Sequence, residues 1–588
     1  MEMFYSAEKA VRLLISLLKQ HNIKKIVASP GATNITFVAS VMHDEWFEVY
    51  SCVDERSAAY MAVGMAEESG ESIVLTCTGA TASRNYLPAI TEAYYRKLPI
   101  LAVTATQDEN RIGHLIPQVL DRSVQPNDTY IESQHIPFVE SSEDEWEATI
   151  RLNRAILALH HHGGGPVHLN FTTHYLRDYS VKELEQAEVI RRWDLTMASQ
   201  PLPQIPQGRV GIRVGSHKVW TGVETQAVEK FCEAYGAVVF CELGSNYAGK
   251  YRVYSSLLNY QKYEKDLFDS SLIIHIGEVP SYGNDSTGRT KEVWRVNPDG
   301  ELRDPMHRLT NVFEMQEVDF FNLYANLAPA NGNGKTEAEQ RVAEFKERYE
   351  YLHSQLTDLP FSNAWLAQQT AHRLPANSKL HVAILNSQRT WTIFELPKSI
   401  QGECFVNTGG FGIDGCMSSA IGGAIVNPDV LHFLVIGDLS FFYDMNSLGN
   451  KHIGNNLRIL FVNNGKGTEF RNYNHPGAMF GEEADKYIAA GGHFGNKSHK
   501  LIKHFAEDLG YEYISATNKE EYLDKLDKFI SPKITDRSMV FEVFTDSKDE
   551  SDAIYMINNI IGPEETTRDK IREALPSGVV NLIRKIKN

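Results

Sequence analysis

Cysteine is scarce: six in 588 residues, with no CxxC pair and no CxxC…HxxxH pattern, which argues against a disulfide framework and a cysteine-built zinc site. Cys52, Cys77, Cys232, Cys241, Cys404 and Cys416 stand in mostly apolar surroundings and are expected as buried reduced thiols. Long hydrophobic runs are missing too: no stretch of about 18 uncharged apolar residues occurs, so no membrane-spanning helix is expected. The opening residues 1–6 lack the basic and apolar regions of a secretory leader, and a cytoplasmic location is the expectation. Nor is there a positive charge excess. The formal balance of −17 disfavours non-specific attraction to nucleic acid or an anionic membrane, leaving a small molecule as the expected partner. No Gly/Pro-rich or low-complexity tract is long enough to suggest disorder, and 42% hydrophobic with 23% charged residues is ordinary globular usage.

The length exceeds the roughly 250–300 residues at which one core stops growing, so several domains are expected. Ser6 reads as the N-cap of a helix over 6–21 with Val11, Leu14, Ile15 and Leu18 on its buried face. Apolar strands are expected at 26–28, 72–77, 99–104 and 166–171, with helices at 56–69 and 82–96. His160-His161-His162 precedes Gly163-Gly164-Gly165 and reads as a helix end with glycine stops rather than a metal tract. The Pro-rich stretch 199–208 and the polar stretch 330–336 read as linkers. Between them, strands are expected at 210–214, 237–241, 272–276 and 292–296. After them come a charged helix at 337–357, strands at 381–385, 431–436, 458–462 and 538–543, and a helix at 414–426. Apolar strands separated by helices predict an α/β fold of three tandem doubly wound domains with mainly parallel sheets. The expected boundaries are 1–190, 205–335 and 355–560, with a C-terminal tail at 561–588.

Two strand ends carry the chemistry of the third domain: Ile436-Gly437-Asp438-Leu439-Ser440 and Phe461-Val462-Asn463-Asn464. In an open parallel sheet, ligands gather at the carboxyl ends of strands. Glycine lets a diphosphate approach the backbone, and Asp438 with Asn464 offers hard oxygen ligands of the kind Mg²⁺ takes beside phosphate. In the first domain, Asp54-Glu55-Arg56 puts a carboxylate where a strand enters a helix. By itself Glu55 reads first as a first-turn glutamate favoured by the helix dipole, a common arrangement.

Four segments together resemble the thiamine-diphosphate-dependent decarboxylase and carboligase superfamily, and most closely its menaquinone-pathway branch, the succinyl-enolpyruvyl-hydroxycyclohexene-carboxylate synthases. They are Ser29-Pro30-Gly31; Asp54 to Gly64 continuing through Thr78-Gly79-Ala80-Thr81 to Ala89 and Glu92; Asn386-Ser387 with Gly412-Ile413-Asp414-Gly415; and the two strand ends. The resemblance implies a pyrimidine-binding first domain, a middle domain, and a third domain holding the diphosphate and Mg²⁺. It implies that Glu55 hydrogen-bonds the cofactor's N1′ and that Ile413 is the apolar wedge beneath it. Asp438, Asn464 and the Lys466 carbonyl are implied as metal ligands, and Ser440 as a donor to phosphate. Thr78, Asn386, Ser387, Gly412, Gly437 and Leu439 complete the implied cofactor site, with Gln118 and Ser387 facing the reacting centre. Active sites between the subunits of a homodimer or homotetramer are also implied.

The branch holds its multiply charged carboxylates with arginines, whereas the corresponding positions here are Thr33, Gln107, Trp391 and Thr408. With Asn34 they suit a neutral, hydroxyl-rich, sugar-like acceptor read by hydrogen bonds and stacking. Residues 465–495 carry Glu469, Arg471 and His475 directly after the metal-binding strand end and are expected as a substrate-contacting lid, with Arg471 on substrate and His475 catalytic. The expected activity is a carboligase that decarboxylates a 2-oxo acid and passes the aldehyde-level fragment to a carbonyl acceptor. Simple 2-oxo acid decarboxylation is the alternative; a silent regulatory member is a third reading, opposed by Glu55, Asp438 and Asn464 all being present.

Overall fold

The computed structural model describes residues 4–189, 202–261, 265–280, 289–300, 303, 305–306, 308–329, 332–492 and 498–560. The expected tail, residues 199–201 and 330–331 of the two linkers, and the 493–495 end of the expected lid lie outside them.

Among the described residues three six-stranded sheets form, and every pairing between their strands is parallel. The first contains β1 (Lys25–Ala28), β2 (Glu48–Ser51), β3 (Ile73–Thr78), β4 (Ile100–Thr106), β5 (Glu132–Ile136) and β6 (Val167–Thr172), ordered β2-β1-β3-β4-β6-β5. The middle sheet has β7 (Val210–Val214), β8 (Val238–Phe240), β9 (Arg252–Val253), β10 (Ser270–Ile276), β11 (Thr290–Val296) and β12 (Leu309–Phe313), ordered β12-β11-β10-β7-β8-β9. The third has β13 (Ser378–Val382), β14 (Cys404–Phe405), β15 (Leu431–Gly437), β16 (Leu457–Asn463), β17 (Glu512–Ala516) and β18 (Met539–Phe544), ordered β14-β13-β15-β16-β18-β17. The first and third sheets repeat one strand order. Every residue of β4 and β16 is buried, as a strand covered by helices on both faces requires.

The sequence pattern reveals all twelve interior strands and none of the six edge strands: β2, β5, β9, β12, β14 and β17. Edge strands pair on one side only, and these are short or interrupted by polar residues, as in Glu132-Ser-Gln-His-Ile136. The expected helix at 82–96 is two helices, Thr81–Asn85 and Leu87–Arg96, because Pro88 has no N–H to continue the ladder. Ser6 is not an N-cap: the helix begins at Lys9, and the Ser6 hydroxyl accepts the Glu8 N–H outside it. The expected strand 381–385 stops at Val382, and Leu385 takes φ +65° as the chain turns. The three glycines after His162 all have positive φ (89°, 75° and 153°) and end that segment as expected. All six cysteines are free and buried.

One crossing joins the first domain to the third. Helix α1 (Glu55–Ser69) lies against α2 (Cys416–Val426) so closely that a Cβ on Gly64 would sit 1.7 Å from the Ser419 carbonyl oxygen, and one on Gly422 2.1 Å from that of Met61. Both sites need glycine because the obstacle is backbone, which cannot rotate away. Gly64→Ala is therefore expected to force the helices apart and lower stability by about 1–3 kcal/mol, read from the urea midpoint. Gly70→Ala, at a helix end with nothing within 4 Å, tests backbone conformation alone and should cost less than Gly64→Ala.

Candidate active site

Glu55 is placed by a cap. Asp54 has extended backbone, and its Oδ1 accepts the Ser57 N–H at 3.0 Å, so α1 begins at Glu55. The half-buried Glu55 carboxylate accepts a hydrogen bond from Asn85 Nδ2 at 3.2 Å. The guanidinium of Arg56 lies 3.8 Å from Asp414 and 3.9 Å from Asp444, and the Tyr60 hydroxyl donates to Asp414 at 3.1 Å. Asp414 directly follows Ile413, so the start of α1 and the Gly412–Asp414 approach to α2 stand side by side. The resemblance implies that the first domain of one subunit meets the third domain of another; the two domains of one chain also touch here.

Ile413 packs partly buried against the core, and its carbonyl accepts the Ser440 hydroxyl. Ser440, expected to donate to a phosphate, thus spends its proton on the backbone that carries the wedge. Asp438 opens a short helix at the end of β15 and is buried, with its carboxylate accepting N–H groups from Leu439 at 2.8 Å and from Gly465. Burial pushes its pKa up to about 6, opposed by hydrogen bonds from Leu439, Gly465, Asn464 and Lys466. Asn464 Oδ1 accepts the Thr468 hydroxyl at 2.8 Å; the Lys466 ammonium turns away to Asp485 at 2.6 Å, and its carbonyl accepts the Thr468 N–H at 2.9 Å. Beside Gly437 a Cβ would meet nothing within 4 Å, which leaves room at the strand end.

Asn386 and Ser387 begin helix α3 (Asn386–Trp391) directly after the positive-φ Leu385. Phe411, directly before Gly412, has φ +54°, and Gln118, on an exposed loop, has φ +64°. Non-glycine residues rarely hold this conformation, and here it marks the turns that carry Leu385, Phe411 and Gln118. Asn386 Oδ1 accepts from Asn472 Nδ2 at 3.2 Å, and the buried Ser387 hydroxyl accepts from Asn363 Nδ2 at 3.1 Å.

Thr33 and Thr78 share a hydroxyl hydrogen bond at 2.6 Å, and Thr33 also accepts the Gly79 N–H. Asn34 donates to the Ser29 carbonyl at 3.1 Å, while Gln107 accepts from Arg111 at 2.6 Å. Thr408 is fully buried and its hydroxyl has no protein partner. Trp391, expected to stack on substrate, is 1% exposed and donates its indole N–H to Asn363 at 2.9 Å; it is a packing residue of the third domain.

The expected lid folds into short 3₁₀ turns, Thr468–Arg471 and Pro476–Glu483, and a helical turn Ala484–Tyr487. Its polar candidates are engaged locally. Arg471 donates to the Gly481 carbonyl and lies 3.3 Å from Asp485, His475 Nδ1 accepts the Gly477 N–H at 2.9 Å, and Glu469 pairs with Arg389. A separate cavity of about 740 Å³ lies between the first and middle domains, beside Ser216, Gly277 and Asn297, and is lined by none of the candidate site residues.

Sequence reasoning missed Asp444. Fully buried, it accepts the Ser418 N–H and hydroxyl at 2.6 and 2.7 Å and the Ser57 hydroxyl at 3.1 Å, tying the first turns of α1 and α2 to one carboxylate. Ser57 is 387 residues away in the chain, so no local pattern could have revealed it.

Residues 8–125 match the family model described as thiamine pyrophosphate enzyme, N-terminal TPP binding domain. The 2-succinyl-5-enolpyruvyl-6-hydroxy-3-cyclohexene-1-carboxylate synthase of Bacteroides thetaiotaomicron is 30% identical over 566 residues, covering 93% of this chain and 98% of the relative. The chain belongs to this synthase family. The Bacteroides fragilis synthase is 29% identical over 572 residues, with the same coverage of 93% and 98%. Among solved structures, the Rhodococcus jostii RHA1 thiamine diphosphate-dependent 4-hydroxybenzoylformate decarboxylase matches with a TM-score of 0.64 at 16% identity, over 92% of this chain and 99% of that one, a likeness of fold. Membership makes the protein a thiamine-diphosphate-dependent enzyme of the lyase/transferase kind. No helix among the described residues is long and apolar enough to cross a membrane.

Burial pushes Asp444 up to about 7, so its folded pKa exceeds its unfolded one. Its contribution to stability is then fully present below about pH 4 and is lost as pH rises through about 7. The stability of wild type relative to Asp444→Asn is expected to fall across that window by at least about 1 kcal/mol. Urea titrations at pH 5 and pH 8 measure it; a difference that stays flat or rises would contradict the assignment.

Proposed function

We propose that the protein is a thiamine-diphosphate- and Mg²⁺-dependent carboligase that decarboxylates a 2-oxo acid and joins the aldehyde-level fragment to a neutral, hydroxyl-rich, sugar-like carbonyl acceptor. The observation that carries the reading is the continuous path from Glu55, at the start of α1, through Asp414 and Ile413 to Ser440 and Asp438 at the end of β15. The residues fit the groups they are assigned. Asp438 is a buried carboxylate whose described hydrogen-bond donors are backbone N–H groups, so a divalent cation would supply the missing positive charge. Among the described residues no cluster of three His, Cys, Asp or Glu side chains exists that could hold a metal. Asp438, the Asn464 side chain and the Lys466 carbonyl offer a sparse oxygen set, the kind Mg²⁺ completes with phosphate oxygens and water.

When bound, thiamine diphosphate supplies the electron sink for loss of CO₂. Glu55 holds a proton at the aminopyrimidine N1′, and Asn85 orients its carboxylate from the side. Ile413 would hold the cofactor as an apolar support, its own position set by the Ser440 bond to its carbonyl. Gly412, Gly437 and Leu439 line the diphosphate side, Thr78 the pyrimidine side, and Asn386 and Ser387 the reacting centre, with Gln118 on the facing loop. Thr33, Asn34 and Gln107 read the acceptor by hydrogen bonds, while Thr408, fully buried, does not reach it. None of these four is charged, whereas the resemblance implies arginines around the site in the synthase branch. A cytoplasmic homodimer or homotetramer belongs to the same reading, supported by the exposed Leu115, Met479, Phe480 and Tyr487 on segments bordering the site.

Titrating the protein with thiamine diphosphate, Mg²⁺ and a panel of 2-oxo acids, with and without sugar aldehydes, while following CO₂ is the test. Release is expected to rise with acceptor, and Glu55→Gln to lower kcat at least about 100-fold with the fold intact. Rapid turnover of 2-oxoglutarate with isochorismate, roughly 1 s⁻¹ or more, would overturn the acceptor assignment. Asp438→Asn should weaken cofactor binding in calorimetry and remove its sensitivity to chelator; tight, chelator-insensitive binding in wild type would remove Mg²⁺ from the site.

A further inference from the structure

The turn that delivers Ile413 is held from the other domain. Glu92 stands in the helix Leu87–Arg96, is fully buried, and its carboxylate accepts the backbone N–H of Gly410. The N–H groups of Gly409 and Phe411 point at the same carboxylate, and burial pushes its pKa up to about 8 against them. Three successive backbone donors converging on one carboxyl group make a nest. The approach depends on glycine: a Cβ on Gly409 would lie 2.5 Å from the Glu92 carbonyl oxygen, and one on Gly410 3.0 Å from the Glu92 nitrogen. One helical turn on, Arg96 is also buried. Its Nη1 lies 3.4 Å from Glu92 and 3.5 Å from Asn407 Oδ1, and its Nη2 pairs with Glu67. Asn407 in turn donates to the Ser419 hydroxyl of α2 at 2.9 Å. The segment Asn407–Phe411 is thus pinned at both ends, and it leads directly into Gly412-Ile413.

We propose that Glu92 is a positioning residue for the reaction: by gripping the N–H groups of Gly409–Phe411 it fixes the height of Ile413 and the rate of proton removal from the cofactor's C2, without itself touching cofactor or substrate. The inference rests on the assignment of Ile413 as the wedge. A group serving only as cement between domains would change stability and leave both the local amides and the chemistry of the folded enzyme unchanged.

The test uses the full chain carrying Glu92→Gln, whose amide oxygen still accepts, and Glu92→Ala, which has no acceptor. In protein without cofactor, hydrogen exchange at residues 409–411 should quicken at least tenfold in Glu92→Ala and much less in Glu92→Gln, while β13 and β15 exchange as in wild type. With thiamine diphosphate and Mg²⁺ added, deuterium exchange at C2 should slow at least tenfold in Glu92→Ala and recover in part in Glu92→Gln, with cofactor affinity within about threefold of wild type. Should Glu92→Ala fail to fold, Gly410→Ala, which crowds the same turn off the helix and leaves the carboxylate in place, carries both readouts in the same direction. Local and C2 exchange matching wild type in a folded variant would overturn the proposal, as would losses that track global unfolding. Quickened local exchange in an enzyme whose wild type binds no cofactor would instead show that the wedge assignment has failed while the grip on the turn stands.

Discussion

The crossing of α1 over α2 at Gly64 and Gly422 is the contact on which the candidate site depends. Backbone meets backbone there, so the helices sit closer than any side-chain interface would allow. Their first turns converge as a result, and those turns carry Glu55 on one side and the Ile413 approach on the other. A slightly larger residue at either glycine would separate the chemical groups as well as the helices, because both are rigidly attached to the same two rods. Asp444 reinforces the arrangement by accepting from Ser57 in the first turn of α1 and from Ser418 in the first turn of α2.

Buried carboxylates gather around this junction. Burial raises Glu92 to about 8, Asp444 to about 7 and Asp438 to about 6, and in each case backbone N–H or hydroxyl donors hold the group. A carboxylate away from water is costly unless paired or fully hydrogen-bonded. A core built only for stability would use apolar residues at such positions. Their concentration at one interdomain seam, together with positive-φ Leu385 and Phe411 on the adjoining turns, marks the seam as a place where stability has been given up for geometry.

The polar residues around the site divide into two kinds once their partners are known. Thr33, Asn34 and Gln107 bond to Thr78, Ser29 and Arg111 and keep neutral polar groups at the strand ends of the first domain. Trp391, Arg471 and His475 turn inward, to Asn363, Gly481 and Gly477. Residue type alone could not separate these groups, since a tryptophan or an arginine is as fit for packing or loop closure as for substrate contact. Orientation decides, and orientation follows from which neighbour is within hydrogen-bond distance.

Ile413 is implied only by the family resemblance, but sequence alone determined the three α/β domains, all twelve interior strands, the helix-stop role of the glycines after His162, and the motifs at Glu55, Asp438 and Asn464. Each is a local signal: an apolar run long enough to bury both faces, a turn residue at a fixed offset, or a carboxylate at a strand end. Tertiary structure decided the six edge strands, whose mixed composition suits one covered side, and the break at Pro88 that sets the second helix on its own course. It also decided that Trp391 is packing, that Ser440 serves the Ile413 carbonyl, and that Glu92 grips a turn 318 residues further along the chain. Those outcomes depend on atoms far apart in sequence meeting at hydrogen-bond distance, and such meetings exist only after the helices have crossed.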